Sequence, residues 1–197
     1  MRLLALVLAL GLAACQVATP VQVPTPVRAV DRMIAHTAKL DGCTGVRIGG
    51  GKVLSAAHCL EDGMGKGDTY SGLTIEYVHS AFDYIVLTGD KPIERVRMPD
   101  AVIGERVYVV GYPVQLDESV QLTVTDGVYT GASDQYMERL TALAYYGNSG
   151  GGAWNEAGEL VGIVIQIRPT DGSYGPFPSP FPGYTYMVPV DLIRPHL

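Results

Sequence analysis

Apolar positions along this chain come either in alternation with polar ones or as short unbroken runs, and glycine, proline or aspartate repeatedly separates them. That pattern predicts many short strands and few helices. Residues 44–48 and 52–55 flank Gly49-Gly50-Gly51 and read as a hairpin. Residues 56–60 follow as a small-residue turn, and residues 61–71, rich in Gly and Asp, as a surface loop. Residues 73–78 alternate as a strand, whereas Tyr84-Ile85-Val86-Leu87 is an unbroken apolar run that predicts a fully buried one. Further strands are expected over 105–113, 120–130 (around Asp126-Gly127), 136–143, 158–165 and 184–189, with a helical turn over 190–197. Residues 33–40 are weakly patterned and fit a first strand or a short helix equally. Neither a heptad pattern nor a fixed-period repeat is present, so the fold class is all-β.

The N-terminus reads differently. Residues 3–14 form an apolar run behind Arg2, too short to span a bilayer as a helix and suited to the core of a signal peptide. It ends in Leu12-Ala13-Ala14-Cys15, which resembles the cleavage box of bacterial lipoproteins. That resemblance implies lipidation of Cys15; an ordinary signal peptide with Cys15 uninvolved is the alternative. Acyl chains anchor at about 0.8 kcal/mol per buried CH₂. Gln16 after the cysteine points, by the same resemblance, to the outer membrane. The prolines at 20, 24 and 26 imply an extended tether. The expected layout is a signal peptide (1–14), a lipidated cysteine and tether (15–30), and one domain (31–197). Its expected location is the bacterial envelope, exported and anchored on the periplasmic or surface face.

Composition narrows the partners. With 197 residues, 47% hydrophobic and 17% charged, the chain suits one domain with a sizeable core. A net charge of -6 and few, scattered basic residues argue against nucleic acid. Three cysteines are odd for an exported protein, but lipidation of Cys15 leaves Cys43 and Cys59 as a pair.

Candidate chemistry centres on Tyr146-Gly147-Asn148-Ser149-Gly150-Gly151-Gly152. A serine among glycines is a flexible linker or a nucleophile on a tight turn. Upstream stand Leu54-Ser55-Ala56-Ala57-His58-Cys59 and Phe82-Asp83-Tyr84, so His, Asp and Ser follow in that order. In this order and these contexts the chain resembles the chymotrypsin/trypsin-type serine proteases over about residues 42–190. The resemblance implies two antiparallel six-stranded β-barrels, about 31–100 and 101–190, with the cleft between them. It implies Ser149 as nucleophile, His58 as base, Asp83 as its orienting carboxylate, and Gly147 and Ser149 N–H groups as the oxyanion hole. It also implies a Cys43–Cys59 disulfide beside the histidine, protein or peptide substrates, and no metal or other cofactor.

Gly-Asn-Ser-Gly-Gly resembles the bacterial Deg and glutamyl-endopeptidase branches. Digestive trypsins carry aspartate where Asn148 stands, so no trypsin-style activation by a freed N-terminus is expected. The chain runs only a few residues past its last predicted strand, so no PDZ module is expected after it. An α/β-hydrolase elbow also fits Gly-x-Ser-x-Gly, but it needs a later histidine and a helix start after the serine; only His196 and a run of glycines are available. By resemblance, Leu143 occupies the base of the primary pocket where trypsins hold an acid, which disfavours Lys or Arg before the cleaved bond. Ile165, Gln166 and Ile167 lie where the family pairs with substrate, and Ile167 replaces a common glycine, implying small or medium apolar side chains. Tyr145 and Tyr146 are large enough to fill such a pocket. Residues 168–183, rich in proline, are expected to rim the cleft, as plain surface loop or as a gate. His36 and His79 lack metal-ligand spacing and read as surface or packing residues. A protease-fold binding protein without turnover is the competing function, but such proteins usually lose a triad member and here all three are present. The oligomeric state is not legible.

Overall fold

The structure, a computed structural model, describes residues 25–114, 121–132, 137–168 and 184–197, with 25–27 and 166–168 described through their backbone alone. The opening helix α1 (Thr25–His36) takes in residues 25–30, which the sequence pattern assigned to the tether. Pro26 sits in the first turn, where a missing N–H costs nothing. Ala29, Met33 and His36 then fall on one buried face, while Arg28, Asp31 and Arg32 stay exposed. The undecided segment 33–40 is both things: the helix ends at His36 and β1 (Thr37–Lys39) follows at once.

The first half continues with β2 (Thr44–Gly49), β3 (Lys52–Ala56), a 3-10 turn (Ala57–Cys59), β4 (Thr69–Tyr70), β5 (Leu73–His79) and β6 (Tyr84–Thr88). These form an antiparallel six-stranded sheet in the order β1-β2-β3-β6-β5-β4. The strand count matches a six-stranded barrel, but the ladder stays open between β1 and β4. These edge strands are only three and two residues long. Side chains span the gap instead: the Tyr70 hydroxyl donates to Asp41 O at 2.7 Å, and Asp41 N–H donates to Ser71 Oγ at 2.7 Å. Short β4 falls inside the stretch expected to be plain loop.

The second half is a closed barrel of β7 (Arg106–Gly111), β8 (Thr123–Ala132), β9 (Glu138–Leu140), β12 (Tyr184–Pro189), β11 (Leu160–Arg168) and β10 (Gly152–Asn155). Strand β10 is hidden in the sequence because it starts within the glycine run after Ser149. A short helix α2 (Val190–Ile193) and a 3-10 turn (Arg194–His196) end the chain as the pattern implied.

The cores explain the unbroken apolar runs. In β3 and β6, Val53, Ile85 and Leu87 point into the first sheet's own core with Tyr70 and Ile75. Their sequence neighbours Leu54, Tyr84 and Val86 join Val110, Trp154, Leu160, Ile163 and Val188 in a core shared by the two halves. A third core, with Val107, Val109, Leu140, Val161 and Met187, fills the closed barrel. Strands buried on both faces cannot alternate apolar with polar. Burying one such large side chain contributes about 1.5–3 kcal/mol, so the shared core holds the two halves together.

Among the described residues no helix is long and apolar enough to cross a membrane.

Candidate active site

His58 stands in the 3-10 turn at the end of β3, where Ala56 and Ala57 leave room for the chain to turn. Cys59 beside it is joined to Cys43 at the start of β2, with a Cα–Cα distance of 6.3 Å and a separation of 16 residues. Closing a loop of this size contributes about 2–4 kcal/mol and ties the histidine turn to the neighbouring strand. The implied pairing of these two cysteines is the one the structure contains.

Asp83 ends the β5–β6 turn with φ +54°, a left-handed conformation that Asp tolerates better than most residues. That backbone aims its carboxylate at the histidine. Asp83 Oδ2 lies 2.7 Å from His58 Nδ1, and Oδ1 accepts the His58 backbone N–H at 2.8 Å. Ala57 N–H donates to Asp83 O at 3.1 Å. A carboxylate can only accept, so Nδ1 carries the proton and Nε2 is left as the basic nitrogen. The side chains are 44% and 31% exposed, so the pair is open to solvent. Neighbouring Tyr84 is fully buried, and burial, with Tyr77 nearby, pushes its hydroxyl far above the usual range. It therefore adds no charge beside Asp83.

Ser149 stands on a turn that packs against β2 and β3. Gly147 has φ +93°, and a Cβ there would meet Tyr112 O at 2.5 Å and Val114 N at 2.7 Å. Val114 N–H donates to Tyr146 O at 2.8 Å. Carbonyl and N–H of a trans peptide point opposite ways, so the Gly147 N–H faces away from Val114. Gly150, at φ +82°, leaves no space for a Cβ, which would lie 2.2 Å from both Ser55 Oγ and Thr44 O. Glycine here lets the serine turn press directly against β2 and β3. Thr44 N–H donates to Ser149 O at 2.9 Å, so the serine and the disulfide-bonded end of β2 are adjacent. His58 and Asp83 are bonded directly; no bond from Ser149 Oγ to His58 forms among the described residues. Asn148 is fully buried, and neither atom of its amide has a hydrogen-bond partner among the described residues.

Of the expected specificity residues, Leu143 is 47% exposed after β9, and Ile165 is buried in β11. Gln166 and Ile167 pair through their backbone with Tyr186 and Thr185; their side chains lie outside the described residues. Residues 169–183, expected to rim the cleft, also lie outside them. Tyr145 and Tyr146 are 47% and 67% exposed, standing in solvent more than filling a pocket.

The lone histidines pack. His36 is buried with Nδ1 2.7 Å from Arg47 O, and His79 stacks on Phe82 at 4.1 Å. Among the described residues no group of three or more His, Cys, Asp or Glu is placed to hold a metal ion. One residue with no motif to mark it is Thr44, whose only local signal is a hydroxyl at the head of a strand.

Residues 43–163 match the family of the trypsin-like peptidase domain. Protease Do-like 2, chloroplastic, of Arabidopsis thaliana is 30% identical over 143 residues, covering 61% of this chain and 23% of that protein. Protease Do-like 1, chloroplastic, of the same plant is 27% identical over 124 residues, covering 56% and 27%. The chain thus spans about a quarter of the length of these relatives. Among solved structures, the serine endoprotease from Yersinia pestis has the same fold, with a TM-score of 0.62 at 20% identity, covering 84% of this chain and 64% of that one. With the family match reaching from the disulfide cysteine Cys43 into β11, across parts of both halves, the chain belongs to the trypsin-like peptidase family.

Proposed function

We propose that the chain is a serine endopeptidase in which Ser149, His58 and Asp83 act as the catalytic triad. The observation that carries this reading is the two-point grip of Asp83 on His58, which fixes the ring's tautomer and leaves Nε2 free as a base. Ser149 is a weak nucleophile until a base removes its proton. In the proposed reaction Ser149 Oγ attacks the scissile carbonyl as His58 takes its proton. The Gly147 and Ser149 N–H groups receive the oxyanion. His58 then gives the proton to the leaving amine, and water hydrolyses the acyl-enzyme by the same route in reverse.

The test is exposure of the folded protein to a fluorophosphonate, with the adduct located by mass spectrometry. An adduct on Ser149 is the expected result. A folded protein that takes up none overturns the reading and favours a binding role for the same fold.

The substrate class is proposed from the residues about the serine: Leu143, Tyr145 and Tyr146 are exposed and carry no charge. None of these three offers a carboxylate to a basic side chain, so peptides with a small or medium apolar residue before the cleaved bond are expected to turn over about tenfold or more faster than those with arginine, whose charge would be desolvated without a partner there. A substrate panel in which arginine is best removes this part of the proposal.

Attachment to the bacterial envelope through Cys15 is likewise proposed. Its support is Leu12-Ala13-Ala14-Cys15 after an apolar run, together with a disulfide suited to an exported protein. Cells expressing the full chain with labelled palmitate are expected to label it, and Cys15→Ser to abolish that label; equal labelling of both refutes lipidation at Cys15.

A further inference from the structure

We infer that Thr44 is a positioning residue that holds the oxyanion-binding backbone of residues 147–149 in its working orientation. The inference rests on the proposed role of Ser149. Thr44 is fully buried at the head of β2, next to the disulfide, and every polar group it has is hydrogen-bonded. Its hydroxyl donates to Gly147 O at 2.7 Å and accepts Tyr112 N–H at 2.9 Å. Its backbone N–H donates to Ser149 O at 2.9 Å, and its carbonyl accepts the Ser55 hydroxyl at 2.7 Å. The carbonyls on both sides of Asn148 are therefore drawn to one residue from the opposite half of the molecule.

The turn needs such a hold. Glycine populates both signs of φ readily, so Gly147 does not determine which way its own carbonyl points. The buried Asn148 side chain makes no hydrogen bond among the described residues, so it does not steady the turn from within. Within the turn Asn148 N–H donates to Tyr145 O at 2.9 Å and Asn148 O accepts Gly151 N–H at 2.8 Å; from outside, the turn is held by Val114 N–H on Tyr146 O and by Thr44 on Gly147 O and Ser149 O. A carbonyl swung out toward the cleft would set its negative end where the oxyanion has to form, repelling the charge that preorganised donors stabilise. The hydroxyl also couples the turn to the end of β7 through Tyr112, linking the two walls that flank Gly147.

Valine keeps the shape and β-branching of threonine and removes only the hydroxyl. It leaves the buried Gly147 O and the part-buried Tyr112 N–H without this partner, which favours any rearrangement that finds them another. The experiment compares wild type, Thr44→Val, Thr44→Ser and Ser149→Ala by second-order rate of fluorophosphonate labelling and by affinity for a peptide boronic acid, which forms a tetrahedral adduct on a serine. Thermal melts and circular dichroism check folding. Thr44→Val is expected to label about 10- to 100-fold more slowly and to bind the boronic acid more weakly by a similar factor. Thr44→Ser, which keeps the hydroxyl, is expected within about threefold of wild type on both readouts. If Thr44→Val does not fold, Thr44→Ala takes its place with the same expected order. A folded variant without the hydroxyl that labels as fast as wild type, or a serine variant as slow as it, overturns the role of Thr44 alone. A folded wild type that does not label overturns the proposed role of Ser149, and that of Thr44 with it.

Discussion

Turnover of a peptide substrate is expected to fall by about 10⁶-fold when Ser149 is replaced by alanine, because on the proposed mechanism this deletes the nucleophile and leaves its partners intact. The loss is expected in kcat, because the peptide-binding surfaces remain. The fold should persist: Ser149 is held by its carbonyl, on Thr44 N–H, and an alanine keeps that bond. The glycines on either side are untouched, and these are the positions that accept no side chain. Active-site titration and a thermal melt together give the check. Residual kcat within tenfold of wild type, in a sample shown free of contaminating protease, would place the nucleophile elsewhere.

Asp83→Asn is expected to lower kcat by about 10⁴-fold with little change in KM. Asparagine has the size of aspartate and tolerates the left-handed backbone, so the turn with φ +54° survives. What changes is the pattern of donors and acceptors. The carboxylate now accepts twice from His58, at the backbone N–H and at Nδ1. An amide keeps one acceptor and presents an N–H₂ group in place of the other. If its oxygen stays on the backbone N–H, the amide N–H₂ faces Nδ1 and moves the ring's proton to Nε2. The nitrogen that should receive the serine proton is then already protonated. An Asp83→Asn variant retaining at least a tenth of wild-type kcat would reduce Asp83 to a turn-capping residue.

Much of the scaffold was legible because its determinants are local. The Gly49-Gly50-Gly51 hairpin, the strand after Asp83 and the terminal helical turn all carry turn chemistry or side-chain periodicity within a few residues. The less legible parts depend on distant partners. Residues 33–40 had no clear period because the helix stops at His36 and the strand starts at Thr37, and because the face that Ala29 and Met33 bury is created by Trp154 and Leu160. Strand β10 was masked by its glycines; it is a strand because β7 and β11 pair with it on both sides.

For the site, the sequence alone determined which residues to look at: His58, Asp83 and Ser149 in order, and a glycine-rich turn. Short motifs carry that information because each residue's local backbone need, such as a glycine at positive φ, is written beside it. Tertiary structure decided that Asp83 grips His58 at two points across 25 residues, that the first sheet closes through side chains instead of a ladder, and that Thr44 reaches Gly147 across 103 residues. A hydroxyl at the head of a strand bonds equally well to many carbonyls. Only the packing of two sheets around a shared core selects which one it meets.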